Sequence, residues 1–291
     1  MTGVGRGEAW GSALSADEFA AIGGIGFEPA GQVFGAAVYP LGVTAAVTCP
    51  GPAVPGGLRA ASPRAAGPGL TIVSGQGIPG PVARMARALY DGRRTAVDRM
   101  TAECADLGGH GIVGASVQVR EIPAEVRSAG AVEFTVLGTA VRARGCPPLA
   151  RPFACDLSGQ DFARLIMAGW VPAGIVLGIS VAARHDDLLT SDRSRWGAGN
   201  TEVAAYTDLI VAVRQDARTR LERALRRLGA DGVVVSAMTS RVHGDACRAH
   251  PGGTDHVAEV IITGTAVVRF ADRSRTSLSP SLAVLPLNDR R

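Results

Sequence analysis

Ser15–Tyr39 reads SADEFAAIGGIGFEPAGQVFGAAVY, and Ser158–Ala182 reads SGQDFARLIMAGWVPAGIVLGISVA. Ten of these 25 positions match without a gap, among them Phe19/Phe162, Pro29/Pro172, Gly31/Gly174 and Gly35/Gly178. Two further blocks repeat in the same order. LGGHGIVG from Leu107 answers LGADGVVV from Leu228, and EFTVLGTAV from Glu133 answers EVIITGTAV from Glu259. The offsets are 143, 121 and 126, so order is kept while loop lengths differ. Self-similarity of this kind marks a duplicated structural unit.

Each half carries the same grammar. An apolar strand with glycines comes first (Gly31–Leu41 and Gly174–Ala183). A helix follows; in the second half it is expected to run from a cap at Asn200 or Thr201 to Leu228, with Val203, Tyr206, Ile210, Val213, Ala217, Leu221, Leu225 and Leu228 at helical spacing. In the first half Val97, Met100, Cys104 and Leu107 form the stripe. Gly108 and Gly229 supply the left-handed stops. A strand, a variable loop and a closing strand complete each unit, with Gly138 and Gly264 marking a bulge or a close backbone approach. The expected fold class is α+β: two tandem β-α-β-β domains, each with a helix packed on an antiparallel sheet. The first is expected at 15–145 with a Gly/Pro-rich insertion at about 48–81, the second at 158–270, and 271–291 forms a flexible C-terminal tail. The tail's apolar patch Leu282–Leu287 is a candidate contact for a protein partner.

The blocks Gly174-Ile-Val-Leu-Gly178, Leu228-Gly-Ala-Asp-Gly-Val-Val234 and Gly264-Thr-Ala-Val267, each echoed in the first half, resemble the YbjQ-like family, whose members carry a heavy-metal-binding label. The first half departs from the family pattern with Gly109-His110 and its Gly/Pro insertion. The resemblance implies two dodecin-like domains per chain and a homo-oligomeric ring, expected to be a pentamer.

Composition removes several chemistries. All 30 basic residues are arginine, so a P-loop, which needs lysine, and Schiff-base catalysis, which needs an amine, are excluded. Net charge is +4 with the two signs interspersed, and only 7 Phe, 3 Trp and 3 Tyr are available for base stacking; nucleic acid is not an expected partner. No apolar run is long enough for a membrane span, and Met1–Ser15 lacks the apolar core of a secretory signal. Five cysteines, with no C-x-x-C pair, fit a reducing compartment, and the expected location is the cytoplasm.

The densest set of soft ligands is His243, Cys247, His250 and His256. Imidazole and thiolate donors at this spacing could wrap a zinc-like divalent ion, although no zinc signature is matched. The plainer reading is a polar hairpin loop with solvated histidines. His110 and Asp231 occupy equivalent turn positions, and His185-Asp186-Asp187 could bind a cation, although a solvated strand end is the plainer reading. No nucleophile elbow, dinucleotide fingerprint or H-E-x-x-H motif occurs, so no catalytic residue is assigned. Three functions stay open: a non-enzymatic ring-forming scaffold or small-ligand binder, a metal-binding or metal-responsive protein, and an enzyme with an interfacial site.

Overall fold

The computed structural model describes residues 11–40, 71–74, 81–122, 131–147, 149, 151–185, 202–247, 254–270 and 284–286. The first repeat contains α1 (Ala16–Gly24), β1 (Phe27–Pro40), β2 (Thr71–Val73), α2 (Pro81–Asp106), β3 (Gly111–Ile122), β4 (Ala131–Ala143) and β5 (Phe153–Ala154). The second contains α3 (Gly159–Met167), β6 (Trp170–His185), α4 (Ala204–Leu228), β7 (Gly232–Ala246), β8 (Thr254–Arg269) and β9 (Val284–Pro286). The fold is mixed α+β, with two tandem β-α-β-β units.

Both units have the same topology. One sheet is ordered β1-β4-β3-β5 and the other β2-β6-β8-β7-β9, so the closing strand of each unit lies at the centre of its three long strands. Each first strand shifts register at the same place, between Pro29 and Gly31 and between Pro172 and Gly174. Opposite Gly138 the ladder of β3 is interrupted between Val113 and Ser116; opposite the Gly264 region β7 shifts between Val235 and Ala237. An added Cβ on Gly264 would meet the Val234 carbonyl oxygen at 2.5 Å, so a bulge and a close approach coincide.

Small residues let helix and sheet meet closely. In β1, Gly31, Val33, Gly35 and Ala37 are buried while Gln32, Phe34 and Val38 alternate outward. A Cβ on Gly35 would overlap the Ala96 carbonyl oxygen in α2; one on Gly178 would overlap that of Ala217 in α4. Ala96, Met100 and Cys104 are fully buried there, as are Leu209, Val213 and Ala217 in α4. Leu107, read as part of the α2 stripe, is 37% exposed because it lies beyond the helix end.

Helix α2 lies between the sheets. Its core includes Val33, Phe134 and Val136 from the first sheet together with Leu177, Ile179, Val181 and Val257 from the second. Helix α4 covers the other face of the second sheet, against Val176, Ala182, Ala258 and Val260. The layers run first sheet, α2, second sheet, α4.

Three features were not read from the sequence. Short helices α1 and α3 precede the first strands, each capped by serine: Ser15 and Glu18 form a capping box, and Ser158 Oγ accepts from the Asp161 amide at 3.1 Å. They pack together with Ile22, Phe162 and Leu165 in a third core. Strand β2, inside the Gly/Pro-rich region, adds to the edge of β6 with Val73 opposite Ala182. Beside it Ser74 Oγ accepts from the Val181 amide at 3.1 Å and joins Ser180, Asp216 and Arg220 in a polar network. Within the tail, β9 pairs with Gly232–Val234 of β7. Helix α4 begins at Ala204 rather than at a polar cap: Val203 is the N-cap without a side-chain bond, and Asn200 and Thr201 lie outside the described residues. Gly229 closes the helix in the left-handed conformation as expected (φ 63°, ψ 28°).

Candidate functional site

The soft-ligand residues sit on the β7–β8 hairpin and the facing end of β6. Strand alternation sorts them by face. His185 of β6 and Asp255 of β8 are direct partners across the ladder, and both are buried. His185 Nδ1 and Asp255 Oδ1 are 2.7 Å apart. Cys247, where β7 ends, is 6% exposed, and the ligand atoms of His185, Cys247 and Asp255 all lie within 4.8 Å of one another.

His256, one residue further along β8, must point to the opposite face. There its Nε2 is 2.8 Å from Tyr206 Oη on α4, with ring centroids 4.5 Å apart. His243 is exposed beside Val257, and His250 lies outside the described residues. The structure therefore brings Cys247 together with His185 and Asp255, which sequence spacing did not place beside it. His185 is a buried residue rather than a solvated strand end; Asp186 and Asp187 lie outside the described residues. The signal that could have found the trio was register: pairing Val181 with Glu259 sets His185 opposite Asp255.

The donor set suits a soft divalent ion. Imidazole at about 2.0 Å and thiolate at about 2.3 Å from a tetrahedral ion leave donors roughly 3.5 Å apart, so three donors within 4.8 Å need only a small contraction. A carboxylate next to imidazole also serves in an apo protein as a hydrogen-bond partner that satisfies a buried polar pair.

A second polar feature lies between the repeats. A cavity of about 260 Å³ is lined by Arg93 and Leu89 of α2, Val119 of β3, Arg241 of β7, and Glu259 and Ile261 of β8. Arg93 is 5% exposed. Its Nη1 donates to the Leu89 carbonyl at 3.2 Å, and its guanidinium lies 5.0 Å from the Phe134 ring centroid. Burial lowers the Arg93 pKa to about 10, opposed by the attraction of Glu259. Burial raises the pKa of Glu259 in turn, against the pull of Arg93, Arg241 and His243. This arrangement ties the helix of the first repeat to the sheet of the second.

The two turn positions act as ties. His110 is 4% exposed; its Nδ1 accepts from the Ala143 amide at 3.2 Å, leaving Nε2 to donate to the Pro147 carbonyl at 2.6 Å. Asp231 accepts from the Arg269 amide at 2.9 Å. Both fasten the turn after the helix to the end of the closing strand. Among the described residues no helix is long and apolar enough to cross a membrane.

A protein family described as "Putative heavy-metal-binding", the YbjQ family, matches the chain at residues 70–144 and 171–269, once in each repeat. An encapsulin nanocompartment protein of Mycobacterium tuberculosis is 30% identical over 287 residues, covering 95% of this chain and 91% of that protein. No solved structure matches the chain significantly.

Proposed function

The chain belongs to the YbjQ family as a tandem of two of its domains, and on that premise we propose that it is a non-enzymatic scaffold that assembles with copies of itself. The observation that carries this reading is the open face of the first sheet. Phe34, Val38 and Leu137 stand there 49%, 47% and 37% exposed, on a sheet whose counterpart in the second repeat is covered on both faces. Exposed apolar faces of this kind serve association. Likeness over nearly its whole length to a protein named for a nanocompartment supports the same reading. Closure into a ring of five chains, a cytoplasmic setting and a further protein partner for the tail belong to the same proposal. Light scattering or native mass spectrometry at micromolar concentration tests it. A mass several times 29.8 kDa is expected, and a monomer overturns the proposal.

A second reading, metal binding, is favoured by the His185–Cys247–Asp255 cluster. The protein would then retain one zinc or cadmium ion per chain through gel filtration, measured by elemental mass spectrometry. Cys247→Ser abolishes that ion in either ligand set. His185→Ala abolishes it if the buried trio binds; His256→Ala does so if the set is His243, Cys247, His250 and His256. Unchanged metal content in Cys247→Ser removes both.

A further inference from the structure

The duplication supplies a template for contacts between chains. Sequence offsets and geometry agree on the equivalences. Gly35 lies against Ala96 as Gly178 lies against Ala217, which fixes the two helices in one register on their sheets. Val38 pairs with Glu133 across the first sheet as Val181 pairs with Glu259 across the second. Phe34, Ala36 and Val38 therefore hold the places of Leu177, Ile179 and Val181. On the helices, Leu89, Tyr90 and Arg93 of α2 hold the places of Ile210, Val211 and Arg214 of α4.

In the middle of the chain this set of positions is engaged. Leu177, Ile179 and Val181 are 7%, 1% and 0% exposed beneath α2, Leu89 is 3% exposed, and Arg93 shares a cavity with Glu259. At the two ends of the layer stack the same positions are open. Phe34 and Val38 are 49% and 47% exposed on the first sheet, and Ile210 and Val211 are 37% and 55% exposed on α4. Residues on the outside of α4 have no reason of their own to be apolar, since its inner face already fills the second core. They are explained if they do what Leu89 and Tyr90 do.

We infer that α4 of one chain packs on the open face of the first sheet of the next, repeating between copies the contact that α2 makes with the second sheet within one copy. Arg214 then meets Glu133 of the neighbouring chain as Arg93 meets Glu259, so charge as well as shape is reproduced. The contact is heterologous, helix to sheet, and propagates head to tail until it closes. It rests on the reading that the chain self-assembles, and names the surfaces that do it.

Two single variants and their mixture test this. Val38→Glu spoils the sheet end and Val211→Glu the helix end; both residues are about half exposed, so circular dichroism should report an unchanged fold. Each variant alone should require at least a tenfold higher protein concentration to assemble. Mixed in equal amounts, the two should form a species of about twice 29.8 kDa and stop there, because each retains the surface that the other has lost. Glu133→Arg and Arg214→Glu should each weaken assembly, and the double variant should restore it. Wild-type protein that is monomeric would overturn the self-assembly reading itself. Wild-type oligomer with both glutamate variants assembling as before would leave that reading in place and overturn the surfaces named here. Variants that lose assembly but give no paired species on mixing would show a symmetric interface, and would also overturn the helix-to-sheet inference.

Discussion

Replacing Gly178 with alanine tests the closeness of helix and sheet in the second repeat. An added Cβ would overlap the Ala217 carbonyl oxygen and stand 2.9 Å from Leu221 Cβ and 3.1 Å from the Ala217 carbonyl carbon. Carbon atoms prefer about 3.5–4.0 Å, so α4 must retreat by roughly 1 Å. Leu209, Val213, Leu221 and Leu225, all buried, would lose part of their packing. At about 1.5–3 kcal/mol for each buried side chain, forfeiting roughly a quarter of it costs about 1.5–3 kcal/mol in all. That matches the usual cost of overpacking, about 1–3 kcal/mol. With an m-value of about 3 kcal/mol/M, the urea midpoint should fall by roughly 0.5–1 M. Gly23→Ala is the control, since nothing lies within 4 Å of its added Cβ and it sits inside α1. It should be neutral or gain a few tenths of a kcal/mol, alanine being the better helix former. The assay is equilibrium urea unfolding followed by circular dichroism at fixed protein concentration. Equal midpoints for the two variants would refute the close approach.

Three further outcomes are expected. Burial raises the thiols of Cys104 and Cys155 to about 11 and about 12, so peptide mapping after alkylation at pH 8 should find both protected until denaturant is added, while exposed Cys146 is modified at once. Because burial raises Glu259 in the folded state, folding favours its protonated form. Its contribution is present at acid pH and is lost as pH rises from about 4.3 through the folded value, so wild type minus Glu259→Gln stability should fall across that window in urea titrations. Tyr206→Phe removes the 2.8 Å bond to His256 and should cost about 1 kcal/mol, read from the same unfolding curves.

The repeated blocks carried most of the fold because each carries its own physical cause. Gly229 stops a helix through its positive φ, and Gly264 lets β7 come near, so both were readable wherever they stood. Helices α1 and α3 escaped because nine residues give too little periodicity; only the serine caps, Ser15 with Glu18 and Ser158 with Asp161, advertised them. Strand β2 could not be read at all, since three residues become a strand only by meeting β6 more than a hundred residues away. Site residues suffered from the same non-locality. Cys247 and His256 were adjacent enough in sequence to suggest one cluster, yet strand alternation turns His256 toward Tyr206, whereas Asp255 and His185 stay with Cys247. An apolar Phe34 looks identical in sequence whether its face is covered or bare. Only the position of α2, between the sheets rather than beneath the first alone, separates the two cases.

The stacking order of sheet, helix, sheet, helix gives every chain a direction: one end is always a sheet and the other always a helix. Chains that continue this order into a closed circuit must contribute repeats in pairs, so the circuit holds an even number of them, and a circuit of five single repeats is beyond reach of intact chains. Its junctions would also alternate in kind. Every second one is held by the covalent link between the two repeats of a chain and survives any dilution, whereas the others obey mass action. Dismantling such a circuit by dilution would therefore proceed in steps of two repeats.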